Sequence, residues 1–432
     1  MIMIGGDASA QDRLLLENLR ILDVERGEMS GPQDLLVKGD RIEGFGEFDG
    51  PALRIDCTGK YAVPGLCDCH THVAWIMKKE DPGEQLRAFV KGGVLYVRDV
   101  GGPVDVLSGM KRRIAAGELV GPEIFFCGPM LEKSPLTWEA HNQKMPGFTV
   151  AVNTNEDVDR LLPELAAEGA CMIKTFSKQN PDVYEHMVEK AKELSLRIVH
   201  DPGGPLFHHM PMDRALALGV TSIEHGKAPW PVVLKDELKE EHDALLARFA
   251  GRSETMPLAM KIFEMQQDSV SLKKIDKLCA TMREKEAYLC PTLQVFAVMK
   301  EQGPPEGVPE QAKEMMKKVF AAMEKMSAFF TAEFHRRGVK LLAGQDGIAP
   351  DGVLSEMELM KACGVPEAEI LRGATLHPAR WLGVEDRIGS IGTGKEANLL
   401  VLDGNPLDDI KKIRSAFLVV QKGDVVFRKD TD

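Results

Sequence analysis

Pro64-Gly-Leu-Cys-Asp-Cys-His-Thr-His72 reads as a short apolar strand that ends in two histidines one residue apart. Residues i and i+2 of a strand face the same side. His70 and His72 can therefore approach one cation from one strand end. Alone, such a pair is equally compatible with two surface or core histidines. The chain that follows decides the matter, because it repeats a strand, a loop and a helix. Further apolar strand-like runs are Gly93–Val100, Glu123–Pro129, Cys171–Phe176, Leu196–Asp201, Val220–His225, Ala287–Thr292 and Val339–Gly344, with helical stretches such as Pro181–Leu194 and Pro211–Leu218 between them. With Leu66–His72 these make eight strands, and that alternation favours a closed parallel α/β barrel over an open sheet.

The regions outside this repeat are rich in short alternating strands. Leu14–Val24 and Asp34–Gly46 precede it, with a tight turn at Gly39-Asp40; Ala397–Leu402, Ala416–Gln421 and Asp424–Arg428 follow it. We therefore expect an α/β protein: a (β/α)8 TIM barrel over residues 63–382, with a small β-sandwich assembled from residues 1–62 and 383–432. Two long, mostly helical insertions are expected near 227–286 and 296–337. Their methionines, Met256, Met260, Met265, Met315, Met316, Met323 and Met326, read first as core packing and second as a lid or subunit contact. Gly389-Ser-Ile-Gly-Thr-Gly-Lys395 fits a phosphate-loop spacing. However, Glu396 stands where Ser or Thr is needed, and the order of helix and strand is reversed, so the glycines read as turns.

Composition narrows the classes. The chain has 432 residues, 44% hydrophobic and 28% charged, which is globular. There are 54 Lys and Arg against 66 Asp and Glu, a formal net charge of −12, which argues against a nucleic-acid backbone binder. Eight cysteines are too few for a disulfide scaffold. Cys67, Cys127, Cys171 and Cys290 lie in apolar strands and are expected as buried thiols. A thiolate-metal reading of Cys67-Asp68-Cys69-His70 lacks a second Cys pair. No basic and apolar leader and no membrane-length apolar run is evident, so a cytoplasmic protein without membrane or nucleic-acid partners is expected.

The chemistry-bearing residues recur at strand ends. His200 ends Leu-Arg-Ile-Val-His, His225 ends Thr-Ser-Ile-Glu-His, and Asp346 follows Lys-Leu-Leu-Ala-Gly-Gln. The C-terminal strand ends are where a barrel builds its active site. Imidazoles with a carboxylate suit zinc or a similar divalent ion. Lys174 sits inside the buried strand Cys171-Met-Ile-Lys-Thr-Phe. It could pair with a carboxylate in the barrel. Alternatively its neutral amine could add carbon dioxide, giving a carbamate whose two oxygens bridge metals about 3.5–4 Å apart.

Taken with Ser222-Ile-Glu-His-Gly226, the Gly-Gln-Asp of 344–346 and Gly394-Lys-Glu-Ala-Asn-Leu, these residues resemble the metal-dependent amidohydrolase superfamily. The similarity is greatest to its imidazolonepropionase-like and Xaa-Pro dipeptidase (prolidase)-like branch with a carboxylated lysine. The chain departs from that pattern at Cys67, at Gln345, and at Asp201-Pro-Gly-Gly after His200. The resemblance implies two divalent ions, most simply Zn2+. His70, His72 and Asp346 would hold one, His200 and His225 the other, with carboxylated Lys174 bridging. It further implies a metal-bridging hydroxide that cleaves a C–N bond in an amide, dipeptide or N-acyl amino acid, with Asp346 as proton shuttle, and a homo-oligomer. A lactonase or phosphotriesterase would use the same site. A single-metal deaminase would leave Lys174 without a role, and a non-catalytic scaffold should lack ligands.

Substrate contacts are expected from Arg98, as a carboxylate clamp or as the partner of an internal acid, and from His141, His208 and His209. His186, His242 and His335 read as solvated, His377 as structural, and Tyr288 as barrel packing.

Overall fold

The computed structural model describes residues 13–176, 178–203, 210–249, 269–304 and 306–430. All eight anticipated positions carry parallel strands: β1 (Leu66–Thr71), β2 (Val94–Asp99), β3 (Glu123–Phe126), β4 (Met172–Phe176), β5 (Arg197–Asp201), β6 (Ser222–Glu224), β7 (Tyr288–Cys290) and β8 (Lys340–Leu341). Nearly every residue in them is buried, as parallel strands covered by helices require. The helices between them start at chemically sensible places. Thr154 and Asp157 form a capping box for Asn155–Ala167, Asn180 caps Pro181–Glu193, and Ser271 caps Leu272–Glu284.

The ladders do not run as one unbroken ring. β1-β2-β3 form one sheet and β4 to β8 another. The extra strand Met130–Glu132 takes the β4 edge that β3 would occupy, pairing Met130 with Lys174, and is itself paired with Thr149–Ala151. Below it, Cys171, just before β4, donates its N–H to Phe126 O at the end of β3 at 3.1 Å. On the other side, Cys69 N–H donates to Ala343 O and Asp346 N–H to His70 O, both at 2.8 Å, and Thr71 bridges Gly347. The barrel-like wall is thus laced at both seams by isolated bonds rather than closed by a continuous ladder, a correction to the expected (β/α)8 ring.

Strands from the two ends of the chain build a separate nine-stranded sheet. Tyr61–Pro64 lies antiparallel to Leu399–Leu402 and parallel to Arg13–Asp23, so the N- and C-terminal segments meet at its centre. It encloses its own apolar cluster around Leu16, Leu19, Leu35, Leu399, Val401 and Leu418. The large core gathers the barrel strands and their helices.

The helix Glu310–Arg336 buries Met326, Phe330 and Phe334. Met323 and Met326 pack on the core, Met315 and Met316 are half-buried, and Met256, Met260 and Met265 lie outside the described residues. This helix crosses directly over the end of β6: a Cβ on Gly226 would lie 2.8 Å from the Ser327 carbonyl. Among the described residues, no helix is long and apolar enough to cross a membrane.

Gly344 marks a close approach at the β8–β1 seam. A Cβ there would come within 2.7 Å of the His70 backbone nitrogen, the His70 Cβ and the Cys290 sulfur. Gly344→Ala should therefore cost about 1–3 kcal/mol of stability, the usual penalty for overpacking a filled interior. Urea unfolding of the two proteins measures it, and an unchanged midpoint would contradict the close approach.

Candidate metal centre

His70 and His72 turn their Nε2 atoms to the same carboxylate. His70 Nε2 lies 3.4 Å and His72 Nε2 3.2 Å from Asp346 Oδ1. Ligand atoms of all three fall within 4.8 Å of one another. Each ring is fixed from behind, as metal-binding imidazoles usually are. His70 Nδ1 meets Glu224 Oε2 at 2.6 Å, and His72 Nδ1 meets Gly101 O at 2.9 Å. Asp99 holds the loops beside them, accepting from Val73 N–H and Gly101 N–H.

Two of the site residues bend the backbone to reach it. His225 (φ 69°) and Asp346 (φ 57°) both adopt the left-handed region, uncommon for non-glycine residues and frequent at functional sites. His225 Nδ1 then stands 3.8 Å from Asp346 Oδ2, and its ring centre is 5.0 Å from that of His70.

The charge states suit a cation. Burial, then the Lys174 charge, pulls His70 down to about 3, so its ring is neutral. Burial also pulls His200 down to about 4. Burial pushes Asp346 up, but His70, His72 and His225 together hold it well below the usual carboxylate range. Neutral His70 and His200 and an ionised Asp346 are the forms a divalent metal needs, whereas His72, which burial pulls down but Asp346 raises overall, must give up its proton to bind one. Lys174 adds a second indication. It is 1% exposed, and its Nζ has no hydrogen-bond partner among the described residues. A buried polar atom without a partner calls for an explanation, and a group bound to that amine is one.

His200 and His225 are not drawn into a ligand cluster among the described residues. His200 Nε2 faces the Met210 carbonyl at 3.0 Å, while its Nδ1 meets Thr175 Oγ1 at 2.8 Å and Tyr184 Oη at 3.2 Å. His225 Nε2 meets Asp201 Oδ2 at 2.8 Å and its Nδ1 meets Thr292 Oγ1 at 2.7 Å. His70, Glu224 and Cys290 also lie close enough to share an ion. Glu224, however, is engaged by Arg98 and Ser222, and burial, then Glu224, drives the Cys290 thiol well above its ordinary range. A protonated thiol is a poor ligand, so this set reads as the support behind His70.

Known proteins bear out the architecture. Residues 280–426 match the amidohydrolase family model. A solved Xaa-Pro dipeptidase with bound methionine superposes with a TM-score of 0.72 at 20% identity, covering 96% of this chain and 99% of that one. A solved prolidase complexed with N-methylphosphonate-L-proline gives 0.74 at 22% identity, covering 96% and 100%. The chain has the amidohydrolase fold. Adenine deaminase from Escherichia coli O9:H4 (strain HS) is 49% identical over 72 residues, which span 16% of this chain and 12% of that enzyme.

Within this amidohydrolase fold, Arg98 does not face a ligand. It is fully buried, donating from Nε to Cys69 O, from Nη1 to Ser222 Oγ and from Nη2 to Glu224 Oε1 at 2.8 Å, with Trp381 beneath it. The carboxylate-clamp reading is replaced by its alternative, the partner of an internal acid. His141 stands at the mouth, its ring 4.7 Å from Trp138 and 5.8 Å from Trp75. His208 and His209 lie outside the described residues.

Gln345, a departure from the family pattern, donates to Asp68 Oδ2 at 2.5 Å and ties the end of β8 to β1. Cys67, Cys127 and Cys290 are buried and Cys171 half-buried. His377 bonds to Leu341 O and packs against Tyr288, in line with a structural role for both. His242 is not solvated as expected: its side chain is fully buried against Trp230.

Four residues beside the site escaped the sequence reading. Ser222 and Glu224 share a face by strand alternation, and both touch Arg98. That inward Ser-x-Glu opposite an inward Arg was a usable signal. Asp201, the last residue of β5, was noted only as a departure from the family pattern, and Lys227, three residues past the end of β6, gave no signal. Burial lowers the Lys227 ammonium while Asp201 and Asp346 pull it up.

Glu224→Gln leaves the Arg98 charge buried without its counter-ion. We expect a loss of about 3–5 kcal/mol in unfolding free energy and a metal affinity lower by about 10–100-fold. Denaturation and metal titration read the two effects, and a variant as stable as the parent would refute the internal ion pair.

Proposed function

We propose that the protein is a metal-dependent hydrolase that cleaves a C–N bond in an amide, dipeptide or N-acyl amino acid. His70, His72 and Asp346 hold one divalent ion, most simply zinc. Lys174, as a carbamate, extends the site toward His200 and His225. The observation that carries this reading is the partnerless buried Lys174 Nζ beside a ready-made His-His-Asp cluster. The neutral amine takes up carbon dioxide and releases one proton, exchanging an unpaired amine for an anion with two donor oxygens. His200 and His225 join the site when their Nε2 atoms give up Met210 O and Asp201.

Bound there, divalent ions polarise a carbonyl oxygen and acidify water to hydroxide near neutral pH. The rest of the work falls to the chain. Glu224 and the Gly101 carbonyl hold His70 and His72 in one tautomer each. Asp346, kept ionised by three imidazoles, takes the proton of the attacking water and delivers it to the departing nitrogen. The Asp99-bound loops and the crossing of Ser327 over Gly226 keep these groups from relaxing.

Local similarity to adenine deaminase favours a second reading, deamination of a nucleobase, although it covers a small part of that enzyme. One screen separates the readings: metal-quantified protein against dipeptides, N-acyl amino acids, lactones, phosphotriesters and adenine. Amide or peptide turnover is expected, lost with chelator and restored by zinc; a preference for adenine or for phosphotriesters over every amide would overturn the proposal.

Asp346→Asn should lower turnover by about 10²–10⁴ as the proton shuttle is lost; near-normal turnover would end that role. Lys174→Ala should bind fewer metals than the parent by elemental analysis, and two tightly held ions in that variant would end the carbamate.

A further inference from the structure

The mouth of the barrel is chemically lopsided. On one arc, formed by segments after β1 and β3, Trp75, Trp138, His141 and Phe148 pack ring against ring. Trp75 and Phe148 are 5.5 Å apart, and Phe148 is 5.6 Å from His72. Trp138 is 41% exposed, unusual for so large an apolar side chain beside a buried cluster. The His141 Nδ1 is buried and has no hydrogen-bond partner among the described residues.

The other arc, after β6 and β7, carries a cation. Lys227 Nζ sits 5.3 Å from the centre of the Phe296 ring, which is 6.1 Å from the His225 ring. Lys227 is 8% exposed, and its Nζ makes no hydrogen bond or ion pair among the described residues. It nevertheless lies within the electrostatic reach of Asp201 and Asp346. The two arcs follow strands of different sheets, β1 and β3 in one and β6 and β7 in the other. His70 occupies the middle, ring-packed with His72 toward the aromatic arc and with His225 toward the lysine.

We propose that Lys227 and the Trp75–Trp138–Phe148 wall select the substrate from its two ends: Lys227 pairs with a carboxylate on the amine to be released, and the wall stacks on an aromatic or large apolar acyl group. This rests on the hydrolase reading and sharpens it to N-acyl amino acids of that class. The amine end goes to Lys227 because that ammonium shares the field of Asp346, which delivers the proton to the departing nitrogen. In the reaction the amide C–N bond breaks and a C–O bond to water forms. One water proton goes to nitrogen and the other is taken up as the new carboxylic acid ionises and the amine becomes ammonium. Arg98, the residue first expected to read the carboxylate, is sealed inside the barrel and leaves that task open.

The test uses a pair of probes that cannot be cleaved. In 4-oxo-4-phenylbutanoate a methylene replaces the amide nitrogen of N-benzoylglycine, and 4-oxo-4-phenylbutanamide removes its charge. Calorimetric titration of the zinc-supplemented protein should show the carboxylate binding about tenfold or more tightly than the amide, an increment of about 1.4 kcal/mol. Lys227→Met should erase most of that preference, and Lys227→Arg should keep it.

Trp138→Ala, on an exposed side chain, should weaken 4-oxo-4-phenylbutanoate more than 4-oxopentanoate, which lacks the ring. Equal affinity for the two charged and uncharged probes in the parent protein overturns the lysine assignment without any variant. An unchanged ratio in a folded Lys227→Met, or equal losses for both acids in Trp138→Ala, overturns it or the wall respectively. Should the probes discriminate as expected while N-benzoylglycine is never hydrolysed, the hydrolase reading falls and the two-ended site stands.

Discussion

A guanidinium sealed among apolar strands must be answered inside the barrel, and Glu224 answers it while steering His70. One carboxylate oxygen faces Arg98 at 2.8 Å and the other faces His70 Nδ1 at 2.6 Å. Burial alone would push Glu224 toward its neutral form; Arg98, then His70, hold it below its ordinary range. The His70 ring therefore has little choice of tautomer or rotation, and its Nε2 is delivered to Asp346. Removing either partner leaves an uncompensated buried charge, which costs far more than the pair contributes over an apolar substitute. The stability of the barrel interior and the aim of the His70 Nε2 in the candidate metal cluster thus depend on the same contact.

That dependence explains which features were legible in the sequence. Strand positions were readable because parallel buried strands write unbroken apolar runs, and all eight sites carry strands. The chemistry-bearing histidines stood out because they close those runs. Arg98 was ambiguous, since nothing near it in the chain announces Glu224, which lies 126 residues away. The barrel seams were equally hidden. The strand Met130–Glu132 that interrupts the β3–β4 ladder follows β3 almost directly and looks like its continuation. His242 read as solvated because its neighbours are charged, yet a helix turns one face inward whatever its average composition.

Period-two alternation also misplaces His225, because Glu224 already points inward. The positive φ of His225 turns the backbone at that point and brings adjacent side chains to the same centre. Asp346 does likewise at the end of β8. Such conformations cost on the order of 1–3 kcal/mol each in a non-glycine residue. They persist because the surroundings over-determine them: His225 N–H is held by Cys290 O, Asp346 N–H by His70 O, and Ser327 closes over Gly226. Strain at these two site residues is therefore held in place by the seams and by the crossing helix, so parts of the fold far from the site bear on it directly.

At about 20% identity, likeness to solved amidohydrolase folds says little about what enters the mouth. The rim explains why the two can part company. The metal cluster is built from residues at or within a few positions of strand ends, where the pleat and the seam bonds leave few alternatives. The aromatic arc and Lys227 come from the segments that follow those strands, whose side chains answer to no ladder register. A chain can hold the first set and rewrite the second without disturbing β1 to β8. Here Arg98, in the wall, is committed to Glu224, while Lys227, in the turn after His225, faces no fixed acceptor among the described residues. On the proposed reading, a buried ammonium in that position is offset by a carboxylate it binds, so the rim, more than the candidate metal ligands, would decide which molecule is held long enough to react.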